Sequence, residues 1–192
     1  REVERYYISI LVEEDVYKPK YIPQSIIGID LGIKDLIVTS HNEKIKNIIK
    51  DRSKRLKGLQ RALARCKRGS KNRYKIKVKI QRLWQKIRNA RKHLIHDITN
   101  KLIKENDIIV CEDLDIKSMY KDHNIAKRLS SNPLGEIIRV LKYKALWNNK
   151  KLIQIDRYYP SSQVCSVCGF QNKELKNLSI RKYECPMCHT KH

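Results

Sequence analysis

Apolar positions change rhythm twice along this chain, and the changes mark out its elements. Residues 5–12, "RYYISILV", are aromatic and β-branched, the composition of a strand. "SIIGIDLG" and "DLIVTS" are two short apolar runs separated at Gly32 and Lys34. They predict an antiparallel hairpin whose first strand ends at Asp30, and "KIKNIIK" offers a third strand. The spacing then becomes helical, through Leu56, Leu59 and Leu63, and again through Ile76, Ile80, Leu83, Trp84, Ile87, Leu94, Ile95, Ile98 and Leu102. Between these stripes "KRGSKNR", residues 67–73, breaks the pattern with Gly and Asn and predicts a hairpin of two antiparallel helices. "DIIVCEDLD" reads as a buried strand running into a loop at Glu112. Ile137, Leu141, Ala145 and Leu146 return to helical spacing, with Asn132 placed to cap that helix just before Pro133, and "KLIQIDRYY" closes the series as a strand. A strand hairpin, strand, helices, strand, helix and strand in that order predict an α/β layer fold with a mixed sheet.

Charge sharpens this outline. The chain of 192 residues carries 43 Lys and Arg against 20 Asp and Glu, a formal net charge of +23. Residues 50–104 hold 21 of the basic residues and only two acids, Asp51 and Asp97. A mixed-sign run on a helix is ordinarily a solvated face, but a run with almost no acids repels itself and calls for a polyanionic partner. No stretch approaches the roughly 20 apolar residues of a membrane span, and the N-terminus lacks the pattern of a signal peptide, so the expected partner is nucleic acid and the expected location cytoplasmic. The chain opens without Met inside an apparent strand and is read as a fragment: 1–25 a remnant strand and loop, 26–159 the main domain, 160–192 a satellite.

Two kinds of residue carry candidate chemistry. Asp30 and Glu112 each leave the C-terminal end of an apolar strand. Either alone reads as an acid starting a turn. Two such carboxylates converging on adjacent strands call for a cation between them, and Mg²⁺ takes one or two carboxylates together with substrate phosphates. "GIDLG" also occurs in actin-like and sugar-kinase ATPases, whose Gly-rich turn cradles phosphate; here Ile33, Lys34 and Asp35 replace its small residues. In the tail, Cys165 and Cys168, then Cys185 and Cys188, have the spacing of a zinc ribbon, and four thiolates form a closed structural shell. Gly169 permits a left-handed turn after the first pair, and His189 holds the matching place after the second; His189 and His192 are the competing ligands. Cys66 and Cys111 stand alone and are expected to be inert. Arg181 and Lys182 put positive charge beside the ribbon, and Lys67, Arg68, Lys71 and Arg73 concentrate it in the helical turn; these are the candidate nucleic-acid contacts.

Taken together, "GIDLGIKDLIVTS", "IIVCEDLDIKSM", "IDRYYPSSQVCSVCG" and "YECPMCHTKH" resemble the TnpB (OrfB) proteins of insertion sequences. These are transposon-encoded RNA-guided nucleases, historically labelled transposases. The resemblance runs from about Tyr6 to His192. It implies a RuvC-like nuclease of the ribonuclease H fold over 26–159, with a basic helical hairpin at about 50–104 and an inserted zinc ribbon at 160–192 that helps hold the target. It also implies catalytic Mg²⁺, structural Zn²⁺, a DNA target and a guide RNA. Asp30 matches the family's first catalytic carboxylate and Glu112 its second. The third follows directly after the ribbon in the family, beyond the last residue here, so this chain alone is expected to cleave little or not at all. The alternative is a non-catalytic DNA- or RNA-binding remnant that keeps the basic helices and the ribbon.

Overall fold

In the computed structural model, the described residues are Tyr6, 8–13, 22–49, 51–176 and 182–191. They divide into two units, residues 1–154 and 155–192. In the first, strands β1 (Ile26–Asp30), β2 (Ile37–Thr39), β3 (Lys44–Ile45), β4 (Ile108–Glu112) and β5 (Lys151–Ile155) form one mixed sheet in the order β3-β2-β1-β4-β5. β1 pairs antiparallel with β2, and β2 with β3, as the hairpin pattern predicts. β1 and β4 are parallel, with Ile26 opposite Ile108 and Ile29 opposite Cys111. Parallel neighbours require a crossover, and here it is supplied by helices α1 (Ser53–Arg65) and α2 (Lys71–Glu105).

α2 starts where Ser70 accepts a hydrogen bond from the Arg73 N–H, just after Gly69 turns the chain at φ +80°. Its 35 residues span about 50 Å. Leu94, Ile95, Ile98, Leu102 and Ile103 pack into the core with Ile27, Ile29, Ile109 and helix α5 (Leu134–Trp147). Where α2 meets α5, the buried Lys144 ammonium donates to Thr99 Oγ1 at 2.7 Å, Asn100 Oδ1 at 2.5 Å and the His96 carbonyl at 3.2 Å. Within α5, Ile137, Leu141 and Ala145 are buried as the spacing predicts. Leu146 is not: it is 64% exposed, one step off the stripe.

Three features depart from the sequence reading. Tyr6 and residues 8–13 carry no strand among the described residues, and Ile8, Ile10, Leu11 and Val12 are exposed, because no sheet edge there pairs with them. Between β4 and α5 lie two short helices, α3 (Ile116–Met119) and α4 (His123–Ser131), capped by the side chains of Asp115 and Asp122. Asn132 consequently ends α4 instead of capping α5, whose N-cap is Pro133 with no side-chain bond. The Asn132 amide donates to the Ile33 carbonyl at 2.9 Å and accepts from Asn47 Nδ2 at 2.8 Å, bolting the β1–β2 loop and the segment after β3 to the α4–α5 junction. Asn132→Ala removes both hydrogen bonds at a part-buried junction and is expected to cost about 1–3 kcal/mol, read as a lowered urea midpoint.

A clasp holds the other end of the sheet. Asp107 Oδ2 accepts from the Gln24 and Ser25 N–H groups and from Ser25 Oγ, at 3.0–3.2 Å. Lys150 lies 3.6 Å from Asp107 Oδ1 and caps α2 through the Ile103 carbonyl. The Gln24 N–H, with Ser25 and Lys150 behind it, holds the Asp107 carboxyl below the ordinary carboxylate range. A depressed carboxylate stabilises the fold above its unfolded-state pKa, and that stabilisation is lost as pH falls through the folded-state value. Asp107→Asn is therefore expected to lower stability at about pH 7, with the gap to wild type closing as acid protonates the native carboxyl. Urea melts at about pH 7 and about pH 3 measure the gap.

The second unit, residues 155–192, is built from two hairpin-like turns, each closed by one antiparallel bridge: Val164 with Gln171, and Glu184 with Lys191.

Candidate metal and nucleic-acid sites

Along β1 and β4 the core-facing residues are Ile27, Ile29, Ile109 and Cys111, so the intervening positions Gly28, Asp30, Val110 and Glu112 lie on the opposite face. The parallel register runs to Ile29 opposite Cys111, and one further step sets Asp30 beside Glu112 on strands about 4.8 Å apart. Asp30 is exposed and Glu112 half-buried. Among the described residues neither carboxylate takes part in a hydrogen bond or ion pair. The register therefore brings two acids together at the open end of the sheet, an arrangement whose donor oxygens suit a hard divalent cation. Gly32 does not form a phosphate cradle. A Cβ there would meet the Asp35 carbonyl at 2.8 Å, and its N–H is committed to the Leu36 carbonyl at 3.3 Å. Cys111 is buried against the core, and that burial pushes its thiol pKa up, leaving it inert.

In the second unit the four sulfur atoms of Cys165, Cys168, Cys185 and Cys188 lie within 4.8 Å of one another. The Cys165–Cys188 and Cys168–Cys185 separations are 3.5 and 3.6 Å. Four thiolates at about 2.3 Å from a tetrahedral Zn²⁺ sit about 3.8 Å apart, so the donor set fits that ion. The two halves repeat one design. The Gly169 N–H donates to the Cys165 carbonyl at 2.9 Å, and the His189 N–H to the Cys185 carbonyl at 2.8 Å. Both turn residues have positive φ, +74° at Gly169 and +56° at His189. The His189 ring instead faces Glu184 at 3.3 Å; His192 lies outside the described residues. Without a cation the thiols differ in how readily they ionise. The Phe170 N–H favours the Cys168 thiolate, yet burial and the three neighbouring sulfur atoms outweigh it and the pKa is pushed up to about 12. The Thr190 hydroxyl, 3.2 Å from Cys188 Sγ, draws that thiol down, a contact that CxxC spacing does not foretell.

Of the basic candidates, Lys67, Arg68 and Lys71 are exposed together at the α1–α2 turn. That turn lies about 35 Å along α2 from Leu94, where the helix joins the core, so these cations do not line the carboxylate pair. Arg73 is half-buried, and its guanidinium donates to the Leu63 carbonyl at 2.8 Å, closing the end of α1. Lys182 is exposed beside the second Cys pair; Arg181 lies outside the described residues.

Comparison with known proteins adds an independent line. Residues 9–123 match a family model described as "Probable transposase" (OrfB_IS605), and residues 135–192 match the Cas12f1-like TNB domain. A Streptomyces pristinaespiralis protein named "Putative RNA-guided DNA endonuclease" is 34% identical over 183 residues, covering 94% of this chain and 45% of that relative. Escherichia coli InsQ, which bears the same description, is 32% identical over 198 residues, covering 94% of this chain and 49% of its own length. The chain thus spans about half the length of these relatives. Among solved structures, the fold resembles a Cas12f1–sgRNA–target DNA complex, with a TM-score of 0.53 and 20% identity over 91% of this chain and 48% of that one. It also resembles a CRISPR-Cas12f ternary complex, with a TM-score of 0.59 and 21% identity over 94% of this chain and 38% of that one.

Proposed function

Since the chain belongs to the OrfB family of probable transposases, we propose that it carries the nuclease sheet and the ribbon of an RNA-guided DNA endonuclease with a RuvC-type, ribonuclease H-like centre. The observation that carries this reading is the register of β1 against β4, which brings Asp30 and Glu112 side by side on an open face. Asp30 and Glu112 would hold Mg²⁺ at a phosphodiester of the target strand. Bound Mg²⁺ supplies an activated water and charge stabilisation at phosphorus. The protein's own share is positional. The Asp107 clasp holds the register from the far end of the sheet, and the Asn132 bolt fixes the loop that follows Asp30.

The remaining surface divides the work of binding. Guide pairing reads the target sequence in such enzymes, while protein cations hold the duplex by its backbone. Lys67, Arg68 and Lys71 at the α1–α2 turn, together with Lys182 beside the ribbon, supply such contacts, and the zinc-folded ribbon holds target nucleic acid. Electron paramagnetic resonance of Mn²⁺, standing in for Mg²⁺, tests the centre. Wild type is expected to bind the ion, and Asp30→Asn or Glu112→Gln to weaken binding about tenfold or more, since each removes one of two anionic ligands. Equal Mn²⁺ binding by both variants and wild type would refute the assignment.

A further inference from the structure

On the helical side of the sheet, opposite the face that bears Asp30 and Glu112, a cavity of about 510 Å³ opens between α2 and α5. That volume is in the range of small-ligand sites. Its composition is specific. Ile87, Ile95 and Val140 contribute apolar lining, and Trp84 adds an indole that is 47% exposed in a helix whose neighbouring Leu83 is buried. Cations line the same cleft, Arg88, Arg91 and Lys92 from α2 and Arg139 from α5, and among the described residues Glu136 is the carboxylate of that lining, which Arg139 approaches at 3.7 Å. An accessible aromatic face, an apolar wall and an excess of guanidinium groups match the three parts of a nucleotide: a base that stacks, a sugar that packs and a phosphate that pairs with Arg.

We infer that this cleft is a nucleotide pocket, receiving one unstacked nucleotide of a single strand with its base against Trp84 and its phosphate between Arg88 and Arg139. The pocket grips without cutting, because the carboxylate pair lies across the sheet from it. It deepens the nucleic-acid reading above without depending on the metal centre. A strand held there is anchored to the same helix that crosses between β1 and β4.

The chain has two tryptophans, so Trp147→Phe leaves Trp84 as the only indole reporter. In that background, without divalent metal, a short single-stranded DNA and the RNA of the same sequence are titrated while Trp84 emission and oligonucleotide anisotropy are both followed. Saturable quenching is expected, with affinity falling about tenfold in Arg139→Glu. Trp84→Ala, read by anisotropy alone, is expected to lose about as much, and Trp84→Phe to recover most of it. Asp30→Asn leaves the quenching unchanged, which separates this pocket from the metal centre. Quenching by only one of the two strands supports the pocket and identifies its source. Binding without any change in Trp84 emission, or equal quenching by an abasic oligomer or by inorganic phosphate, overturns it.

Discussion

Chelating zinc, or replacing Cys185 by Ser, is expected to unfold the unit that carries the four-sulfur cluster. In that unit the buried apolar side chains among the described residues are Cys165, Leu175 and Cys185, and two of these three belong to the four-sulfur cluster. So small a core cannot offset the conformational entropy of ordering the segment, roughly 1–2 kcal/mol per residue for the backbone alone. In so small a unit the free energy of binding a structural zinc ion is itself folding free energy. Ligand thiols must also lose their protons, and Cys168 in particular holds its proton up to about 12 in the metal-free cluster. Zinc binding therefore releases protons, and affinity falls as the solution is acidified. Chelation is expected to collapse the amide resonances of residues 155–192 and to release one zinc per chain to a chromogenic chelator, while the amides of the β1–β4 ladder keep their dispersion. Dispersed ribbon resonances after complete chelation would show that the segment folds without the ion.

Nucleic-acid affinity is expected to collapse with salt. Each phosphate neutralised releases condensed counterions, so six to ten contacts cost roughly 10³–10⁵-fold in affinity between about 50 and about 200 mM salt. Residues 50–104 hold 21 Lys and Arg with two acids, far more cations than that contact number requires. The α1–α2 turn lets this effect be divided. Lys67→Ala, Arg68→Ala and Lys71→Ala together are expected to lower the slope of log affinity against log salt by about two to three. Arg73→Ala should behave differently, because its guanidinium already closes α1 through the Leu63 carbonyl: the hairpin loses helicity while the slope changes less. Fluorescence anisotropy across a salt series measures the first effect and circular dichroism the second. A triple variant with an unchanged slope would remove the turn from the binding surface.

The elements legible in the sequence are those whose signal is local. The hairpin of β1 and β2, the pair α1 and α2, β4, α5 and β5 all follow from side-chain period, and the four-sulfur cluster follows from two CxxC pairs. α3 and α4 escaped because residues 116–131 are short and polar, although Asp115 and Asp122 are the caps that announce them. Missing α4 displaced Asn132 from the end of one helix to the start of the next. Leu146 and Trp84 lie on apolar stripes by spacing, yet the first is 64% and the second 47% exposed, since period cannot tell which edge of a stripe meets another helix. The two carboxylates were visible as strand ends, but their adjacency rests on parallel pairing across the whole α1–α2 crossover. The same holds for the Asp107–Ser25 clasp, whose partners are 82 residues apart in sequence.

The length of α2 has a mechanical consequence. Its contacts with the sheet's core begin at Leu94 and its cleft with α5 opens from Trp84, so the helical turns before Leu83 run beyond both, with α1 laid along them. A stiff rod clamped at one end acts as a lever: a load on its tip at Lys67, Arg68 and Lys71 reaches the clamp as torque on Ile95 and Ile98, packed in the same core as Ile109 and Cys111. Glu112 is the next residue along that strand, so the core that clamps α2 is also the footing of the acidic pair.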